Sequence, residues 1–117
     1  MTVYSITEEM VRWLAGLGFA ASTEPPKSGD EFVTVERTGG AVTDMVDHPA
    51  IAVQCWARSA ARAEEMANAV RLAALTGELP RGVHSMRVNA GPYPYFDEST
   101  RLPRYQIYFD CAAQLVD

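Results

Sequence analysis

The residue types that most often carry chemistry are few in this chain and poorly supported by their neighbours. Asp44, Asp47 and His48 form a D-x-x-D-H cluster whose oxygen and imidazole donors would suit a divalent cation. A closed site needs further ligands. The only other histidine, His84, alternates with apolar neighbours like an ordinary strand residue. The cluster also sits just ahead of Pro49, so it reads as an irregular arm leading into a strand, and no metal is expected.

Nucleophilic chemistry has no better footing. Cys55 and Cys111 form neither a CxxC nor a metal spacing, and each falls inside a strand-like run, where a reduced thiol is buried and inert. No G-x-S-x-G is present. The carboxylate pairs Glu8–Glu9 and Glu64–Glu65 fall on the polar faces of helical patterns, where surface charge is the ordinary reading. Arg37-Thr38-Gly39-Gly40 lacks the Lys-Ser/Thr that a phosphate loop requires, so it reads as a hairpin tip open to a partner. The residues therefore predict no catalytic group and no cofactor.

The elements that would position these residues are clearer than the chemistry. Ser5-Ile-Thr-Glu8 has the form of a capping box ahead of a helix. Ile6, Met10, Trp13, Leu14 and Leu17 share its apolar face, Glu8, Glu9 and Arg12 the other, and Gly18 ends it. A short extended piece is expected at Phe19–Ser22 and a surface loop at Glu24–Asp30. A strand follows at Phe32–Thr38, a turn at Gly39-Gly40, and an irregular returning arm at Ala41–Val46. Pro49 opens a strand over Ala50–Ala57, with Ile51, Val53 and Cys55 opposed to Ala52, Gln54 and Trp56.

Ser59 caps a second helix from about Ala60 to Leu75, closed by Gly77. At 100° steps Ala60, Ala63, Met66, Ala67, Val70 and Ala74 form its core stripe. Ala61, Ala69 and Leu72 are left as apolar islands among Arg62, Glu64, Glu65, Asn68 and Arg71. Strands at Val83–Ala90 and Arg104–Val116 flank a loop at Gly91–Pro103 that contains Tyr93, Tyr95 and Phe96. Aromatics in so long a loop either meet a partner or fold back to cap the core. The expected fold is a single α+β domain over residues 1–117. It is a two-layer sandwich, with a mostly antiparallel sheet of four to five strands and two helices on one face, in the order α-β-β-β-α-β-β.

Net charge is −5, which disfavours a surface that grips nucleic acid. An acidic wall that nucleic acid slides past remains compatible with it. The net negative charge lies mainly in the first half: Glu8, Glu9, Glu24, Asp30, Glu31, Glu36, Asp44 and Asp47 precede Ser59 against only Arg12, Lys27, Arg37 and Arg58, while seven acids and six bases follow it. MTVYSITEEM has neither a basic n-region nor an apolar h-region, and no apolar run reaches membrane-spanning length. An intracellular origin and no membrane partner are expected.

One arrangement is familiar. Arg37-Thr38-Gly39-Gly40 is followed by Asp47-His48-Pro49-Ala50-Ile51-Ala52-Val53-Gln54-Cys55-Trp56-Ala57, running straight into the Ala- and Glu-rich segment Ala60–Leu75. Gly91-Pro92, an acidic tip at Asp97-Glu98, and Pro103-Arg104-Tyr105 opening the closing strand come next. This plan, over nearly the whole chain, resembles the tail terminator (tail completion) proteins of long-tailed bacteriophages, as found in phages and prophages of actinobacteria.

The resemblance implies a structural virion protein made in the host cytoplasm and placed at the neck, on top of the tail tube. Its subunits would form a homo-oligomeric ring, commonly a hexamer, that stops polymerisation of the major tail tube protein and joins the tail to a head connector or stopper protein. Genomic DNA would pass through the lumen without specific binding. The subunit interface expected on this reading is Ala61, Ala69 and Leu72 against a neighbour, with Arg62 or Arg71 pairing to acids such as Asp44 or Asp47. The expected contact loops to tube or connector carry Arg37, Gly39, Gly40, Tyr93, Tyr95, Phe96, Asp97 and Arg101. Two alternatives stand beside it: a head-side connector ring, and a small-molecule-binding α+β module lidded by Tyr93–Phe96.

Overall fold

In the computed structural model, residues 2–95 and 102–117 are described. Helix α1 (Ile6–Gly16) starts where the Ser5 side chain accepts a hydrogen bond from the Glu8 backbone N–H, and Gly18 adopts the left-handed conformation past its end. Helix α2 (Ala60–Thr76) starts in the same way, with the Ser59 side chain accepting from Arg62 N–H. Strands β1 (Ala21–Ser22), β2 (Phe32–Thr43), β3 (Val46–Trp56), β4 (Val83–Pro94) and β5 (Arg104–Ala113) form one sheet in the order β1-β2-β3-β5-β4. All pairs are antiparallel except β1 with β2. The fold is the expected α+β sandwich, with the elements in the expected order.

Both helices feed one core with one face of the sheet. Val33, Val35, Ile51, Val53, Cys55, Ile107, Phe109 and Cys111 meet Met10 and Leu14 of α1 and Ala63, Met66, Ala67, Val70 and Ala74 of α2. Small residues at 63, 67 and 74 let α2 lie close to the sheet, and the long, adaptable Met66 fills the remaining space. Among the described residues the opposite sheet face has no helix on it.

The structure moves several boundaries. The turn of the β2–β3 hairpin is not at Gly39-Gly40 but at Asp44-Met45, whose φ values of 52° and 65° are the left-handed pair that a two-residue type I′ turn requires. The arm expected to be irregular is regular ladder from Gly39↔Ala50 to Thr43↔Val46. Gly39-Gly40 instead marks a register shift within β2. At Gly40, with φ +112°, a Cβ would lie 2.1 Å from the His48 carbonyl oxygen, so only glycine lets β2 cross Pro49 this closely. Pro49 consequently lies inside β3 rather than opening it.

On α1, Glu9 is buried and held by Arg12 and Arg81, while Leu17 caps the helix and is exposed. That reverses their expected sides, because Arg81 approaches from a distant turn that helical periodicity does not report. β4 continues past Ala90 through a cis Gly91–Pro92 bond to Pro94, which shortens the expected loop.

Candidate interaction surfaces

The D-x-x-D-H residues are pulled apart by the hairpin. Asp44 occupies the turn and His48 is exposed. Asp47, only 8% exposed, accepts two hydrogen bonds from the Arg37 guanidinium, from Nη1 at 2.7 Å and Nη2 at 2.8 Å. This bidentate pairing holds the Asp47 carboxyl below its ordinary range and pushes Arg37 up. Among the described residues no group of three or more His, Cys, Asp or Glu side chains could hold a metal ion. Cys55 and Cys111 are free and buried, and burial pushes each thiol up to about 12. Neither supplies a thiolate near neutrality.

The outer face of α2 is as the sequence suggests. Ala61 and Ala69 are exposed, and Leu72 is 61% exposed. Leu75, 65% exposed, extends the same strip; its angle, about 60° from Leu72 on the wheel, would have revealed it. Arg62 is engaged within its own chain. Its Nε and Nη2 donate to Glu31 at 3.0 and 2.6 Å, and Nη1 to Glu65. An intersubunit pairing of Arg62 with Asp47 would have to compete with Glu31 on one side and Arg37 on the other. Arg71 and Asp44 make no ion pair among the described residues.

Beyond Val35, β2 leaves the core. Residues 36–45 are exposed without interruption, including Val42 at 55% and Met45 at 79%. Arg37, Gly39 and Gly40, expected at a tip, lie instead along this open strand.

The helix-free sheet face carries a polar ladder that sequence reading missed. Trp56 Nε1 donates to Thr34 Oγ1 (3.0 Å), Gln54 Nε2 to Gln106 Oε1 (2.6 Å), and Gln106 Nε2 to the Tyr93 hydroxyl (2.6 Å). Arg104 lies between two rings, 4.4 Å from the Trp56 centroid and 4.3 Å from that of Tyr95, and Phe32 stacks on Trp56 at 5.3 Å. Tyr93 and Tyr95 thus fold back onto the sheet. Their alternation with Gln54 and Gln106 across three strands becomes visible only once register is known. Phe96, Asp97 and Arg101 lie outside the described residues. Beside the stack, Thr23, Pro25, Thr34, Gln54, Trp56 and Arg104 border a hollow of about 460 Å³. Among the described residues no helix is long and apolar enough to cross a membrane. Neither protein-family models nor curated proteins give a match to this chain.

Proposed function

We propose that the chain is a structural subunit that assembles with copies of itself into a ring, as a tail terminator of a long-tailed phage does. In that role it stops the tail tube protein and presents a face to the head connector, and it performs no catalysis. The observation that carries the reading is the placement of uncovered apolar side chains in two separate regions: Val42 and Met45 on the hairpin, Leu72 and Leu75 on α2. Two unlike patches on one chain suit a heterologous, ring-closing contact. The motif order from Arg37 to Tyr105 and the acidic net charge agree with it.

Native mass spectrometry and electron microscopy of the chain, alone and with tail tubes, test the proposal. Rings that cap tubes and limit their length are expected, and Leu72→Asp should weaken them. A chain that remains monomeric in both settings overturns the ring, and assembly unaffected by Leu72→Asp removes α2 from the interface. Binding to head connector but not to tube protein would move the ring to the head side. The hollow beside Trp56 supports a second reading, a small-molecule module. A metabolite that raises the unfolding temperature of the wild type but not of Trp56→Ala would favour it.

A further inference from the structure

The sheet has two edges, and they are open over the same stretch. On one side β1 covers β2 only at Val33 and Thr34, so β2 from Glu36 to Thr43 has no outer partner among the described residues. On the other side β4 has no outer neighbour among the described residues. Its far half carries Pro92 and Pro94, which lack an N–H to donate, while Val83–Ala90 contains no proline.

Register shows that the open halves lie level. Val42 pairs with Asp47, Asp47 with Ala113, and Ala113 with Val83. Arg37 is likewise level with Val88 through Ile51 and Phe109. The obstructed halves also coincide, because Thr34, under β1, is level with Tyr93 through Gln54 and Gln106.

Edge strands are normally blunted by charge, proline or cover. The segment Thr38-Gly-Gly-Ala-Val-Thr43 has no charge and no proline, and every residue of it is exposed, with the Arg37 side chain reaching past the Gly39 carbonyl oxygen to Asp47. Its one irregularity is the register shift at Gly39. Three successive antiparallel pairings make β4 run opposite to β2. A second copy displaced along the sheet therefore presents its β4 antiparallel to this β2, with open half against open half.

We infer that residues 38–43 of β2 pair with residues 83–90 of β4 from a second copy, so that the sheet continues from subunit to subunit. The contact rests on the ring reading and specifies how that ring is joined. Thr43 and Val46 flank the two-residue turn as its closing hydrogen-bonded pair, so the Val42 backbone N–H points away from β3 and toward the added strand.

Two variants test it. Val42→Pro deletes that outward donor and spares the β2–β3 ladder; it should abolish the ring while far-UV circular dichroism stays that of the monomer. In Ala41→Cys/Ser85→Cys the two thiols of one chain sit three strand spacings apart, about 14 Å, too far for an internal disulfide. The native cysteines are buried and do not compete. Oxidation should give a ladder of multimers up to the ring's copy number on non-reducing gels. Several outcomes overturn the contact alone: a ring that survives Val42→Pro, a double variant that forms rings yet stays uncrosslinked, or Ala41→Cys alone giving dimers. A wild type that is monomeric both alone and on tubes removes the ring and the contact together.

Discussion

Strand β2 is one continuous element that lives in two environments. Phe32 to Val35 are buried, Val33 completely, between α1, β1 and β3. Glu36 to Thr43 stay paired with β3 across one register shift, yet every residue is exposed. The ladder is thus not what separates the halves. The inner half is held by apolar burial, at roughly 25 cal/mol per Å² removed from water. The outer half is held by backbone pairing, the turn at Asp44-Met45 and the Arg37–Asp47 clasp. A sheet needs a covering layer for stability, but strand pairing alone can carry a ribbon beyond that layer. Such a ribbon leaves backbone groups and apolar side chains free for another chain.

Substitutions in the two halves should separate these contributions. Val33→Asp places an unpaired charge in the core and should cost about 4 kcal/mol or more, read as loss of cooperative thermal unfolding. If that variant unfolds like the wild type, the inner half is not core. Gly40→Ala should cost about 2 kcal/mol in urea titration, from a disfavoured φ and a Cβ driven against the His48 carbonyl. A neutral result would mean that the outer half is free to reshape.

Arg37→Ala should cost about 1 kcal/mol, reduced from the buried-pair range because Arg37 is 35% exposed. It also has a pH signature. The folded Asp47 carboxyl lies below its ordinary value of 3.8, so the clasp's stabilisation is present above that value and lost as pH falls below it. Arg37→Ala should flatten this acid limb, and an unchanged limb would detach the clasp from stability. The smallest effect is expected from Val42→Asp, within about 0.5 kcal/mol on the monomer. The same change should be severe for assembly, because it charges the open edge. A large monomer effect there would show that Val42 is packed.

The helices were legible because their signals are local. Ser5 and Ser59 cap, Gly18 terminates, and the stripe Ala63-Met66-Ala67-Val70-Ala74 repeats at helical spacing, although Ala60, expected to begin it, is exposed in the first turn. Leu72 was recognisable as surplus to that stripe for the same reason. The hairpin was misjudged at one point, since Gly39-Gly40 is the stronger turn signal in sequence while Asp44-Met45 is where the chain reverses. Two glycines permit a turn or a register shift equally well. The choice is made by Pro49 across the ladder and by the clasp from Arg37 to Asp47, neither of which is a local signal.

By itself, then, the sequence determined the order of elements, most of the core stripe of each helix, and the residues on α2 that no core claims. These follow from periodicity and capping, which act within a few residues. Only the tertiary structure decided that Asp47 is clasped rather than offered, that Arg62 serves Glu31, that Tyr93 and Tyr95 close over the bare face, and that both open edges lie level. Each of these depends on strand register and on contacts between residues far apart in the chain. Burial patterns can be read one strand at a time, whereas register requires all the strands together.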